Sequence, residues 1–189
     1  MTIEETNVKR IWMRWICGML AILATFVLAA CTVSSAGTQA EKPTVASEAH
    51  AIGDLQRTEY FTEQALHHIF EGELNKGNKV VGYHHEGMAS AKAHVEEGSR
   101  STPDADGVYS GKVYIGTKLK DGNNGYSTFF PKEWTPQQVV DAINYAWEHR
   151  ERRTESQYAG KTKDGVTIMF YTDASTGKIA TAYPVKKKK

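Results

Sequence analysis

Apolar and polar positions along the chain fall into segments with different rhythms. From Trp15 to Ala30 nearly every side chain is apolar, and residues 32–56 are small and polar with almost no periodicity. Phe61, Ala65 and Ile69 then recur at four-residue intervals, which predicts a helix over residues 58–70. Residues 79–85, KVVGYHH, read as a strand, and 86–106 are polar without alternation, so a mobile loop with one helical turn is expected there. In 107–116, GVYSGKVYIG, the alternation is good enough to predict a strand, with Tyr109, Val113 and Ile115 on one face and Ser110, Lys112 and Tyr114 on the other. Thr135-Pro136-Gln137-Gln138 carries an N-cap, a proline at the first helical position and a capping box. The helix it opens should run to about His149 with Val139, Val140, Ile143 and Trp147 as its core stripe. The end of the chain reads as a β-hairpin turning at Asp173 to Gly177, with Ile179, Thr181 and Tyr183 sharing a face, followed by a frayed lysine tail. Helices and antiparallel strands in this mixture define an α+β class.

The apolar leader changes the picture of where the protein works. Lys9, Arg10 and Arg14 precede it, and it closes on Leu28-Ala29-Ala30-Cys31. A basic head, a short apolar run and small residues before a cut describe an export signal. This form resembles a bacterial lipoprotein signal, in which Cys31 would be acylated and become the first residue. Residues 1–30 would then be the signal peptide, 31–56 a flexible tether, and 57–189 the folded domain. The resemblance implies a lipid-anchored protein of the bacterial envelope, with Thr32 favouring the outer membrane. The other reading is an uncleaved anchor over residues 11–33.

Composition narrows the chemistry. The chain has 189 residues, with 23 Lys and Arg against 22 Asp and Glu, so no global basic field marks it as a nucleic-acid binder. Any RNA contact must come from a local patch. Cys17 lies in the leader and Cys31 at its end, so the domain has no thiol for a disulfide, a thiolate metal site or a nucleophile.

Histidines carry the candidate chemistry. Doublets stand at His67-His68 and His84-His85, and imidazole takes and gives protons near neutral pH, with an unperturbed pKa of about 6.5. Helical phase places His68 on the face of Phe61, and His67 on a solvated side with Tyr60, Glu63 and Gln64. Neighbours on a strand face opposite ways, so one member of the second doublet can share a site with His68, and a four-histidine metal cage is disfavoured. His50, His94, Lys92 and His149 read as solvent-exposed or helix-terminal residues.

HHIFEGE, then GYHH, then FPKEW before a helix, then TAYP resemble, in that order, the bacterial branch of the EndoU endoribonucleases. That branch occurs as a C-terminal toxin domain in contact-dependent inhibition and other polymorphic toxins. The resemblance covers residues 57–189 and implies a single EndoU-like domain of the RNase A-like, BECR type, with helices packed on antiparallel sheets. It implies His68 as acid and His84 as base. It makes Lys112 the match for the family lysine, with Lys92 and Lys118 as alternatives. It gives Thr181 and Tyr183 to the base and sugar of the substrate, and leaves His85 as support.

The activity so implied is cleavage of single-stranded RNA, at uridines, by its own 2′-hydroxyl, giving a 2′,3′-cyclic phosphate and a 5′-OH. No metal site or cofactor is required, although some members respond to Mn²⁺. The implied partners are RNA, the membrane through the lipid anchor and, for a toxin, an immunity protein; a monomer is expected. Two other readings compete: a histidine-based metal-binding lipoprotein, and a non-catalytic envelope module that keeps the fold.

Overall fold

Local signals build the helices. In this computed structural model, which describes residues 49 and 51–188, α1 spans Glu63–Phe70 and α2 spans Pro136–Glu148. Thr62 caps α1 by accepting from the Ala65 N–H at 3.1 Å, so the helix starts later than its apolar rhythm predicts. Phe61 belongs instead to a parallel bridge with Ile179, which fastens the entrance of α1 to a strand. At α2 the anticipated box forms in full, with Gln138 N donating to Thr135 Oγ1 and Thr135 N to Gln138 Oε1. Its stripe of Val139, Val140, Ile143 and Trp147 is buried.

The strands, in chain order, are β1 (Glu73–Leu74), β2 (Val80–Val81), β3 (Ala93–Val95), β4 (Tyr109–Ile115), β5 (Lys118–Leu119), β6 (Tyr126–Phe129), β7 (Glu151–Arg152), β8 (Gln157–Lys161), β9 (Thr167–Thr172) and β10 (Ile179–Pro184). One antiparallel sheet runs β10-β9-β8-β7. A second runs β3-β4-β5, with β6 also paired to β4, and β1-β2 form a hairpin. Two apolar clusters follow. The larger lies between the helices and the first sheet, around Phe70, Ile143, Ile168 and Phe170. The smaller lies among β2, β3, β4 and β6, around Val80, Tyr83, Val113 and Phe129. Helix α2 approaches β8 so closely that a Cβ on Gly160 would stand 2.0 Å from the Ala146 carbonyl oxygen.

Several expectations change. The packed body reaches back beyond residue 57: Leu55 and Ala49 are buried in the larger cluster, and Ile52–Asp54 form a 3-10 turn. The loop 86–106 is not free of structure, because Ala93–Val95 pair with β4. Glu86 in the same segment accepts from the Tyr109 hydroxyl and is gripped by Arg100. Nor does the lysine tail fray at once. Lys186 Nζ donates to Ser101 Oγ and Thr102 O, and Lys187 pairs with Asp106. The leader, Cys31, His50 and Lys189 lie outside the described residues.

Candidate active site

The segment 79–85 is a strand only at Val80–Val81. Gly82 and Tyr83 then take left-handed conformations, φ +77° and +63°, and turn the chain against the end of α1. The last carbonyls of a helix have no partner within it. Here the Tyr83 N–H donates to the His68 carbonyl at 2.7 Å and the His84 N–H to the Ile69 carbonyl at 2.8 Å. This backbone docking brings one histidine from each doublet together. The rings of His68 and His84 lie 5.7 Å apart, centroid to centroid, at 33°. His85 is directed away into the core against Phe70.

Hydrogen bonds set the proton positions on these rings. His84 Nδ1 is 2.7 Å from the Thr128 carbonyl, which can only accept, so Nδ1 carries the hydrogen and Nε2 is left with its lone pair. Burial, reinforced by the Lys120 and His68 charges, holds the proton affinity of His84 well below that of an ordinary histidine, against the pull of the Thr128 carbonyl. A neutral imidazole with an available nitrogen is a general base. His68 Nδ1 sits 3.0 Å from Glu73 Oε1, so the carboxylate fixes the ring and leaves Nε2 to act. In His85 both nitrogens are occupied: Nε2 donates to the Trp134 carbonyl at 2.7 Å and Nδ1 accepts from the Gly87 N–H at 3.1 Å. That arrangement suits support and excludes proton transfer.

The lysine at the site is not Lys112. Along β4 the side chains alternate, and Lys112 pairs in register with Tyr126 while Gly111 pairs with Ser127. Ser127 faces the histidine loop, donating to the Gly82 carbonyl at 2.8 Å, so Lys112 is on the opposite face and meets Glu96 Oε2 at 3.5 Å. Lys120 instead reaches the loop, donating to Ser127 Oγ at 2.6 Å and to the Gly82 carbonyl at 3.3 Å. Burial lowers its ammonium to about 8. Among the described residues Lys120 is in no ion pair, and a desolvated cation of this kind can receive an anion. The other two alternatives are engaged elsewhere: Lys118 Nζ donates to the Asn78 carbonyl, and Lys92 lies 3.9 Å from Glu71.

Thr181 and Tyr183 share a face, as anticipated, but Ile179 does not. The β9–β10 register shifts between Ile179 and Thr181, and the extra residue rotates Ile179 into the core. Tyr183 stacks on His84, with centroids 5.6 Å apart at 27°, and Tyr171 stacks on Tyr183 at 6.4 Å. Burial, with a hydrogen bond to Tyr171, pushes the Tyr183 phenol up to about 12. Thr181 Oγ1 is buried with no hydrogen-bond partner among the described residues.

The other described histidines have partners away from this pair. His67 is half-buried and bonds Glu71 Oε2 at 2.9 Å, while His94 stacks on Tyr114 and His149 bonds the Tyr145 carbonyl. Among the described residues no group of three or more His, Cys, Asp or Glu is placed to share a metal ion.

Glu73 and Lys120 are the residues that sequence reasoning missed. Glu73 lies inside the quoted HHIFEGE motif, five positions after His68, and that spacing was a usable signal. Lys120 is two positions from Lys118, and its contacts with Ser127 and the Gly82 carbonyl separate them.

An α+β body thus holds one histidine with a free ring nitrogen beside a carboxylate-backed second one, with a half-buried lysine close by, an arrangement suited to acid–base chemistry. Residues 62–186 match the family model described as bacterial EndoU nuclease. The chain belongs to that nuclease family. A curated relative named "Toxin" from Bacillus cereus is 37% identical over 140 residues, which are 74% of this chain and 26% of that protein. The chain therefore spans about a quarter of the relative's length. No solved structure matches the chain significantly.

Proposed function

We propose that the domain cleaves single-stranded RNA at uridines by intramolecular transesterification. His84 Nε2 takes the 2′-hydroxyl proton, and the oxygen attacks the adjacent phosphorus. The bond from phosphorus to the 5′-oxygen breaks, and His68 Nε2 delivers a proton to that leaving oxygen. The products are a 2′,3′-cyclic phosphate and a 5′-OH. Lys120, in the role first given to Lys112, offsets the charge that builds on the non-bridging oxygens. Tyr183 supports the sugar and base, and Thr181 Oγ1 supplies a hydrogen bond to the pyrimidine edge. The observation that carries this reading is the 5.7 Å approach of two imidazoles whose Nδ1 atoms are both committed elsewhere. The name of the Bacillus cereus relative favours a toxic effector, whose producer would need an immunity protein.

The test is cleavage of uridine-containing RNA by the purified protein in EDTA, with end-group analysis. Cyclic phosphate products, loss of activity in His68→Ala and His84→Ala, and resistance of a substrate with 2′-deoxyuridine at the cut site support the reading. Cleavage of the 2′-deoxy substrate refutes the chemistry. Activity that returns only with added metal favours the metal-binding reading, and no cleavage under either condition favours the non-catalytic module.

A further inference from the structure

The near balance of basic and acidic residues leaves open what would hold an RNA strand beyond the scissile linkage. Three cations around the second sheet are neutralised: Lys92 by Glu71, Arg100 by Glu86 and Lys112 by Glu96. Lys76, Lys79 and Lys118 are different, because among the described residues none of them is in an ion pair.

These three lysines are gathered by the β1–β2 hairpin and β5. The tip of the hairpin is pinned by Asn75, whose Oδ1 accepts from the Gly77 N–H at 2.9 Å and the Lys79 N–H at 3.0 Å. Lys76 and Lys79 are exposed at this tip. Lys118 Nζ crosses from β5 to the Asn78 carbonyl, and Lys120 Nζ reaches the Gly82 carbonyl at the other end of the same hairpin strand. Lys118 and Lys120 are two residues apart, so their side chains leave the chain on the same side, with Cα atoms about 7 Å apart. Between Gly82 and Asn78 the chain covers about 13 Å. A row of positive charge thus begins at Lys120, beside His84, and continues through Lys118 to Lys79 and Lys76.

We propose that Lys118, Lys79 and Lys76 form a phosphate-tracking ridge that holds the RNA backbone for about two or three nucleotides away from the cut. This rests on the RNase reading above and adds where the strand lies. Asn, Gly and Lys at the tip offer charge and no stacking surface, so the ridge reads backbone and not sequence. The aromatic platform of Tyr183 and Tyr171 belongs to β10 and β9, so base recognition and backbone tracking fall on separate elements.

The test uses the purified chain and two probes: a uridine-containing dinucleotide substrate, and an RNA of about twelve nucleotides with 2′-deoxyuridine at its single cleavage site, for binding. The double variant Lys76→Gln/Lys79→Gln should cleave the dinucleotide as the wild type does. Its binding to the longer RNA should weaken, and the slope of log affinity against log salt should flatten by about 1.4, from 0.7 per phosphate contact on single strands. Between about 50 and 200 mM salt the wild type should therefore lose about sevenfold more affinity than the variant. Lys118→Gln should flatten the slope by about a further 0.7. A control variant, Lys163→Gln/Lys188→Gln, removes the same charge away from the hairpin and should keep the wild-type slope. Unchanged binding in the ridge variant overturns the proposal, and so does equal weakening in the control. A wild type that binds the long RNA through the ridge yet does not cleave the dinucleotide would refute the RNase reading and leave the ridge standing.

Discussion

The N–H of Tyr83 donates to the carbonyl of His68 at 2.7 Å, so the backbone of the second histidine loop is bonded to the residue that carries the first imidazole. The approach depends on Gly82. A Cβ there would lie 2.2 Å from the same His68 carbonyl oxygen, and the residue sits at φ +77°. Gly82→Ala must therefore both strain the backbone and displace the loop, at a cost of about 3 kcal/mol or more. The expected outcome is a lower Tm together with loss of RNA cleavage. A variant with unchanged Tm and activity would mean that the loop has another way to dock.

Glu73 acts through His68, as a positioning residue. Its carboxylate is the acceptor that leaves the Nε2 of His68 directed outward. Glu73→Gln should lower kcat by about 10²-fold or more and leave KM nearly unchanged, because the change reaches the proton donor and not substrate binding. By contrast, His67→Ala removes one of the partners of Glu71, which Ser90 and Lys92 still hold. Its activity should stay within about threefold of wild type. Equal damage from His67→Ala and His68→Ala would overturn the assignment of the acid.

Lys120 and Lys112 can be separated directly. Removing a donor aimed at developing charge costs about 10²–10³ in kcat, and Lys120→Ala should show a loss of that size. Lys112→Ala breaks an exposed pair with Glu96 and should change cleavage less than about threefold. The reverse ranking would return the catalytic lysine to β4.

Where local rules dominate, the sequence was readable. Thr135 to Gln138 specify the start of α2 through contacts within four residues, and the β4 alternation survives because its two faces meet different environments. The histidine pair was legible for another reason, since its motifs are short and contiguous. Readability failed where a long-range contact decides. Gly82 and Tyr83 interrupt a pattern that looked extended, and the extra residue near Ala180 turns Ile179 inward without any turn residue to announce it. Two-residue strands such as β1, β5 and β7 have no period to detect. Lys120 stands out only when Ser127, from another strand, is beside it.

Acid should weaken the fold first through its buried histidines. Burial, ahead of the neighbouring charges, lowers the pKa of His84 well below 6.5 in the native state, and burial also lowers His85 against the Trp134 carbonyl. Unfolding returns both to about 6.5. Above that pH both are neutral in either state, so their contribution to stability is complete. As pH falls below 6.5 the unfolded chain binds protons first, and stability is lost progressively toward the lowered native values. Glu71 and Glu86 are also depressed: burial acts to raise them, but their hydrogen bonds and neighbouring cations win. Their loss falls below about 4.5, which leaves pH 6.5 to 5 to the histidines. Urea unfolding across that window should show a falling free energy, by up to about 1.4 kcal/mol per pH unit for each histidine. His84→Gln should flatten the fall by removing one titrating group. A stability that is level or rises between pH 6.5 and 5 would show that His84 and His85 are not held neutral in the native state.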